Sequence, residues 1–283
     1  MLLDGKTLAK KIEEKLKLEV NTLPKKPRLD VILIGNNKPS ELYVKLKNEA
    51  CQRIGINSII NKFENISENE LIALIKKLND NEEVNGILIQ LPLPGHINTR
   101  KVLDSVDIGK DVDGLNSYNL MQILMGNENI IPCTPKGIIR LMEEYNIILE
   151  GKNVCIVGFS DVVGKPLATL CLNRGATVTV CHIKTTNLKE HTTKADIIMT
   201  ATGVPKLIKK DMIKKDSIII DIGISKTDNK IVGDVDFDNV KLKTKMITPV
   251  PGGVGPMTVA ALLENTIKLC KVQNETNKKS MQL

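Results

Sequence analysis

The chain has 283 residues, 42% of them apolar, with no Trp, three Tyr and three Phe. Its core must be built from Ile, Leu and Val, the usage of buried parallel strands flanked by helices. Forty basic against 33 acidic residues give a formal charge of +7. The Lys residues are scattered and never interleave with aromatics, a pattern of a solvated surface with some pull on phosphates or polyglutamates and not of a specific nucleic-acid partner.

Strands and helices alternate along the chain. Leu8, Ile12 and Leu16 recur at helical spacing, so residues 5–20 are expected to be a helix. LDVILIG (29–35) follows as a buried strand. Ser40 is expected to cap a helix reaching Ile54, with Leu42, Leu46 and Ala50 on its core face. SIINKF (58–63) is a strand. Ser67 and Glu70 form a capping box that opens a helix with Leu71, Leu74, Ile75 and Leu78 inward. NGILIQL (85–91) is the third strand, stopped by Pro92, Pro94 and Gly95. After the irregular GKDVDGLNSYN, a helix starts at Pro135. Then come strand NVCIVG, helix 164–174, strand TVTVCH, a helix, and strands ADIIMTA and SIIIDIG. A last helix is expected at about 258–270, with residues 271–283 frayed. This alternation predicts an α/β fold with mainly parallel sheets, one unit at about 1–120 and a second at about 121–257.

No apolar run reaches 18 residues and no signal-peptide segment opens the chain, so no membrane association is expected. Six Cys, none in a CxxC pair or at metal-ligand spacing to a His, are expected as buried thiols of a reducing compartment such as the cytoplasm, with no metal site.

In the second unit, strand 153–157 runs through Gly158-Phe159-Ser160 to Gly164 and into a helix. This is either a phosphate-binding turn, with helix N–H groups facing an anion, or a plain strand–helix turn, because the spacing is not GxGxxG. The next strand ends at Cys181-His182-Ile183-Lys184, with no acid to hold a ribose. His182 fits a structural role better than a catalytic one.

In the first unit, Tyr43 and Lys47 share a helix face at i, i+4. Tyr43 offers a stacking surface and Lys47 a proton-transfer group, although such a pair also occurs as plain surface. Gln90 closes an apolar strand, where open sheets receive ligands and where it can bond Lys47, or where it is merely a satisfied amide. Asp111 and Asp113 lie in a Gly-flanked loop and suit an amidine-like edge, a metal, or a turn. Three Pro and three Gly between Thr248 and Thr258 forbid regular structure there, leaving a rigid ligand-lining loop or a turn.

Taken together, SELYVKLKNEACQRIGI, GILIQLPLP, KDVDG, PCTPKG, GFSDVVGKP, ATVTVCHIKT, ADIIMTATG, IDIGI, GDVDF and PVPGGVGPMT resemble, in order, the methylenetetrahydrofolate dehydrogenase/methenyltetrahydrofolate cyclohydrolase family from Leu3 to about Cys270. The resemblance implies a folate-binding catalytic domain (1–120 with 258–283), a Rossmann-type domain (121–257), an active site in the cleft between them, and a homodimer. It implies that Tyr43 stacks on the pterin, Lys47 is catalytic, Gln90 is its partner and Asp113 anchors the pterin edge. It further implies that Ile89, Leu91, Pro249, Pro251, Gly252, Gly253, Gly255 and Pro256 line the tetrahydrofolate derivative, and that Gly158, Phe159, Ser160, Ile183 and Ile224 contact NADP. The implied activity is oxidation of 5,10-methylenetetrahydrofolate, then hydrolysis to 10-formyltetrahydrofolate.

Two positions depart from the family pattern. Its turn usually reads Gly-Arg-Ser and its strand end Cys-His-Ser-Lys, where Phe159 and Ile183 stand here. Both usual residues serve the NADP 2′-phosphate, so weaker NADP preference and some use of NAD are expected. Rival functions are another Rossmann oxidoreductase, or a non-catalytic or cyclohydrolase-only folate-binding relative.

Overall fold

The structure, a computed structural model, describes residues 1–227 and 230–280, with side chains described to residue 275. In chain order the elements are α1 (Gly5–Asn21), β1 (Arg28–Ile34), α2 (Lys38–Ile54), β2 (Asn57–Phe63), α3 (Glu68–Asn79), β3 (Gly86–Ile89), α4 (Thr99–Asp104), α5 (Ser117–Leu124) and α6 (Cys133–Glu144). There follow β4 (Asn153–Val157), α7 (Gly164–Asn173), β5 (Thr177–Cys181), α8 (Leu188–Thr192), β6 (Ile197–Thr200), β7 (Ile218–Asp221), β8 (Ser225–Thr227), β9 (Lys230–Val232), α9 (Phe237–Val240), β10 (Met246–Ile247) and α10 (Val254–Ser280).

The chain forms two compact units. One comprises residues 11–122, 128–133 and 259–283; the other comprises 1–10, 123–127 and 134–258. The first unit carries a parallel sheet in the order β2-β1-β3, in which β1 is buried along its length. The second carries a five-stranded parallel sheet in the order β10-β7-β6-β4-β5, with β8 and β9 as an antiparallel pair. Its core is aliphatic, gathering Cys155, Val157, Ile198, Ile219, Val235 and Ile247, as the shortage of aromatics requires.

Residues 1–10 pack with the five-stranded sheet, where the Leu3 N–H donates to the Ile247 carbonyl at 2.9 Å and Lys6 N–H to Gly252 O at 2.9 Å. Three expectations need correction. Asn37, and not Ser40, caps α2: its side chain accepts from Ser40 N at 3.0 Å, and Pro39 fits the first turn, where its missing N–H costs nothing. Leu42 and Leu46 are 50% and 44% exposed, and the face of α2 turned inward carries Val44, Ala50, Cys51 and Ile54. Finally, α10 begins at Val254 and runs past 270 to Ser280. The Pro/Gly-rich stretch is therefore irregular only to Gly253, since Gly255 and Pro256 sit in the first turn of a helix, which tolerates Pro. Of the frayed end expected at 271–283, residues 271–280 are helical and residues 281–283 lie outside the described residues.

The expected opening of α3 holds. The Ser67/Glu70 capping box is present, with Ser67 N donating to Glu70 Oε2 at 2.9 Å and Glu70 N to Ser67 Oγ at 3.3 Å. Leu71, Ile75 and Leu78 are buried beneath it. No described helix is long and apolar enough to cross a membrane.

Candidate active site

The C-terminal edge of the three-stranded sheet gathers the chemically capable side chains. Helix α2 follows β1, and Gln90 follows β3. The segment around Asp111 runs parallel beside β3, bridging Ile87, so Asp113 emerges toward the same edge as Gln90. Lys47 Nζ donates to Gln90 Oε1 at 3.0 Å. The other end of the same amide, Nε2, donates to the Leu91 carbonyl at 2.8 Å. This fixes the amide's polarity, because a Lys ammonium is a donor only and needs the oxygen. Leu91 O also accepts from the buried Ser40 hydroxyl at 3.4 Å, a support that sequence reading mistook for a helix cap.

Lys47 and Lys110 spend their donors differently. Lys110 Nζ spends its donors on the carbonyls of Leu78 at 3.0 Å, Asn79 at 2.5 Å and Asn81 at 2.8 Å, closing the end of α3. An ammonium has three donors, so Lys110 is a strut. Lys47 spends one on Gln90, and two remain for substrate or water. Tyr43 is half-buried, and burial pushes its phenol upward, keeping it neutral beside Lys47. The Cys51 thiol one turn beyond Lys47 is pushed up to about 12 by burial, so it stays protonated.

The two acids divide their roles. Asp111 is buried, and its Oδ2 accepts from Asn116 N at 2.8 Å and Asn119 Nδ2 at 2.8 Å. It is a turn former, and burial raises it above the usual carboxylate range. Asp113 is half-buried, and no described residue donates to it. Its position is held through its neighbour: Val112 O accepts from Asn265 Nδ2 at 2.9 Å and from Cys133 Sγ at 3.3 Å. Asn265, a buried amide inside α10, was missed because nothing in helical periodicity distinguishes it. Ile89 is buried and Leu91 half-buried beside Gln90.

In the other unit, Gly158 leaves β4 at φ +121, and a Cβ there would meet Ala201 O at 2.5 Å. The turn therefore requires Gly, and its backbone is open for close approach by a ligand. Val163, at the start of α7, makes no side-chain cap, and Ser160 Oγ accepts instead from Val163 N at 3.2 Å and Gly164 N at 3.5 Å. Phe159 is half-exposed, 6.4 Å from the His182 ring, with the Lys165 ammonium 5.0 Å from its centroid. Lys165 also pairs with Asp161. His182 Nδ1 accepts from Lys184 N at 3.1 Å, which fits the structural role expected of it. Ile183 is fully exposed and Ile224 partly so. This hydroxyl-lined, glycine-floored turn before a helix suits the phosphates of a dinucleotide. Pro249 and Pro251–Gly253 follow Thr248, whose hydroxyl accepts from Asp221 N at 2.7 Å.

Residues 3–113 match the family described as tetrahydrofolate dehydrogenase/cyclohydrolase, catalytic domain, and residues 132–274 match the NAD(P)-binding domain of the same family. The chain belongs to that family. It is 53% identical over 275 residues to the bifunctional protein FolD of Nitratiruptor sp., covering 95% of this chain and 98% of that protein. With the FolD of Hydrogenobaculum sp. it shares 54% identity over 273 residues, covering 95% and 98%. The crystal structure of FolD from Campylobacter jejuni superposes with a TM-score of 0.94 at 49% identity, covering 96% of this chain and 98% of that one. The Trypanosoma brucei enzyme, solved with NADP cofactor and inhibitor, gives 0.91 at 34% identity, covering 96% and 97%. Both halves of a dehydrogenase/cyclohydrolase are thus present. Nothing in these matches favours a non-catalytic or cyclohydrolase-only relative.

Two outcomes test the site as built. Asp111→Ala strands two buried donors and should lower stability by roughly 1–3 kcal/mol, whereas Asp113→Ala should leave stability unchanged and weaken folate-analogue binding by a similar amount. Urea unfolding and calorimetry decide; equal stability losses in both would reject this division of roles. The second outcome concerns Asp221, at the end of β7. Burial, opposed by backbone N–H bonds and reinforced by Asp234, pushes it from 3.8 up to about 6. Between those values the folded chain holds the extra proton, so the contribution to stability is complete below about pH 4 and is lost as pH rises through about 6. Asp221→Asn should flatten that fall in urea titrations; an unaltered slope would show that Asp221 does not cause it.

Proposed function

We propose that Lys47 is the proton-transfer group of this dehydrogenase/cyclohydrolase, with Gln90 as its holder, Tyr43 as the stacking surface for the pterin and Asp113 as the anchor of the pterin edge. The observation that carries this reading is the Lys47–Gln90 bond at 3.0 Å, with the amide's other end committed to Leu91 O. The substrate is 5,10-methylenetetrahydrofolate, which is oxidised to the methenyl form and hydrolysed to 10-formyltetrahydrofolate. NADP, when bound, accepts the hydride from the bridging carbon. That step asks the protein chiefly for alignment, because the folate nitrogens stabilise the cation themselves.

Hydrolysis asks for more. Water adds to the methenyl carbon, and a proton must travel from that water to the nitrogen that departs. Lys47 is held to one amide and keeps two N–H donors, so its ammonium can give a proton to the departing nitrogen and recover one from the adding water without surrendering its place. The free Asp113 carboxylate can accept two parallel hydrogen bonds from an aminopterin edge. Pro249, Pro251–Gly253, Gly255 and Pro256 line the folate, with Ile89 and Leu91. Gly158, Phe159, Ser160, Ile183 and Ile224 receive the dinucleotide. The folate domain is residues 1–120 with 258–283, and the dinucleotide domain is residues 121–257. The protein works as a homodimer in the cytoplasm, a setting to which six buried free thiols are suited.

NAD is a second cofactor for this chain, on the strength of Phe159 and Ile183. Neither side chain can bond a 2′-phosphate, and the cation nearest the Phe159 ring, Lys165, is already paired with Asp161.

Lys47→Met should abolish hydrolysis of methenyltetrahydrofolate, by roughly 10²–10⁴-fold, while the folded state survives. Near-normal hydrolysis by the folded variant would remove Lys47 from the mechanism. Phe159→Arg combined with Ile183→Ser should raise kcat/KM for NADP at least tenfold, about 1.4 kcal/mol, with NAD little changed. The ratio of the two kcat/KM values decides. Strong NADP preference in the unaltered protein, with no gain in the double variant, would place the phosphate elsewhere.

A further inference from the structure

Two buried carboxylates in the five-stranded unit have no part in the roles above. Asp221 ends β7, and Asp234 follows β9; Asp234 has no exposed surface at all. Among the described residues no Lys or Arg pairs with either. Asp221 is satisfied by backbone: Oδ1 accepts from Gly223 N at 3.1 Å and Asp234 N at 3.0 Å, and Oδ2 from Val235 N at 3.0 Å. Asp234 is lopsided. Its Oδ2 accepts three donors, the Thr200 hydroxyl at 2.9 Å, Thr202 N at 2.6 Å and the Thr202 hydroxyl at 2.8 Å. Its Oδ1 is buried and has no partner.

The two carboxyls lie across each other's glycines. A Cβ on Gly223 would come within 1.9 Å of Asp234 Oδ1, and a Cβ on Gly233 within 1.9 Å of Asp221 Oδ2. Neighbouring groups on the segments packed here are the hydroxyls of Thr200, Thr202 and Thr248, the backbone of Gly223 and Gly233–Val235, the Lys206–Ile208 segment, whose Lys206 and Ile208 N–H groups donate to Gly233 O and Asp234 O, and the other carboxylate. Two like charges without a counter-ion, one with a bare oxygen, are a poor way to build a core. Their location suggests what they serve. The pair ties the end of β6 and the Thr202–Gly203 turn to the end of β7 and the Gly223–Ile224 turn. In open parallel sheets, ligands bind at that edge. With Phe159 and His182 marking the β4–β5 side of the edge, β6 and β7 are left for the rest of the dinucleotide.

We infer that Asp234, backed by Asp221, is a positioning residue for the dinucleotide, fixing the spacing of the Thr202–Gly203 and Gly223–Ile224 turns against which its distal half lies. This rests on the dehydrogenase reading above. Asp234 Oδ2 grips both the backbone and the hydroxyl of Thr202, and Asp221 grips the backbone on both sides of the β8–β9 pair. When both carboxyls are charged they repel and the two turns are pushed apart; one proton relieves this. Asp221 titrates at about 6 through burial and the charge of Asp234, so the grip loosens as pH rises through that value.

The test measures NADPH affinity by fluorescence titration for the unaltered protein, Asp234→Ala and Asp234→Asn. Hydrolysis of methenyltetrahydrofolate, the work of the other unit's side chains, serves as the control for folding. Asp234→Ala should raise Kd tenfold or more. Asp234→Asn, whose amide oxygen can take over the three donors without the charge, should stay within threefold. The ratio of Kd in the unaltered protein to Kd in Asp234→Asn should increase from pH 5.5 to 7.5, and the phosphate titration common to both cancels in that ratio. If Asp234→Ala does not fold, Thr202→Val removes one of the three donors and should raise Kd severalfold. Unchanged Kd in these variants, an Asn variant as weak as the Ala variant, or a ratio independent of pH overturns the inference. An unaltered protein that hydrolyses methenyltetrahydrofolate but binds no NADPH overturns the dehydrogenase reading and this inference together.

Discussion

A primary amide has one accepting end and one donating end, and both ends of Gln90 are spoken for. Nε2 reaches the Leu91 carbonyl at 2.8 Å, and Oε1 is thereby left for Lys47 at 3.0 Å. Were the amide free to turn, it could offer the ammonium a donor and repel it. The strand end, the Leu91 carbonyl and the helix face of Lys47 thus act as one assembly, to which Ser40 adds a second donor on the same carbonyl. The parallel sheet makes this possible, because β1, β3 and the Asp111 segment all run in one direction and discharge their following residues at one edge. Placement of these side chains follows from backbone direction first and side-chain identity second.

Much of the polar interior exists to hold backbone for that edge. Lys110 closes the end of α3 with three carbonyls, Asp111 gathers Asn116 and Asn119, and Asn265 reaches from α10 to Val112 O and Ile131 O. Each is buried and hydrogen-bonded, the condition under which a buried polar group costs little. Asp113 stands among them with its carboxylate unspent. In a region where neighbouring polar groups are satisfied, the unsatisfied one is the informative one.

The alternation of strands and helices was legible because Ile- and Val-rich runs separated by capped, periodic helices admit few other readings. Short elements such as α4, α9, β10 and the β8–β9 pair were not, since two to six residues carry too little period. The face of α2 was misjudged for a definite reason: Leu42 and Leu46 have the spacing of a core stripe, yet close packing on a sheet selects the smaller Val44, Ala50 and Cys51. The pairing of Lys47 with Gln90 was anticipated from their places on helix and strand end. The separate fates of Asp111 and Asp113 were not, because two carboxylates two residues apart look alike until the donors around them are known. Lys165 escaped notice as well, since its approach to Phe159 is made by folding the turn back on itself.

The two units treat buried charge in opposite ways. In the folate-type unit the lysine at the centre is undercommitted, with one bond used of three. In the dinucleotide-type unit the carboxylates are over-concentrated, two of them with no cation and with Asp234 Oδ1 bare. A net charge of +7 supplies ample lysines that could have neutralised the pair, so the absence of one is a matter of placement and not of supply. A lysine set beside Asp234 would stabilise the carboxylate but would need room over Gly223, where a Cβ would already meet Asp234 Oδ1 at 1.9 Å. Leaving the two carboxylates among backbone N–H groups and threonine hydroxyls keeps long cationic side chains away from the ends of β6 and β7.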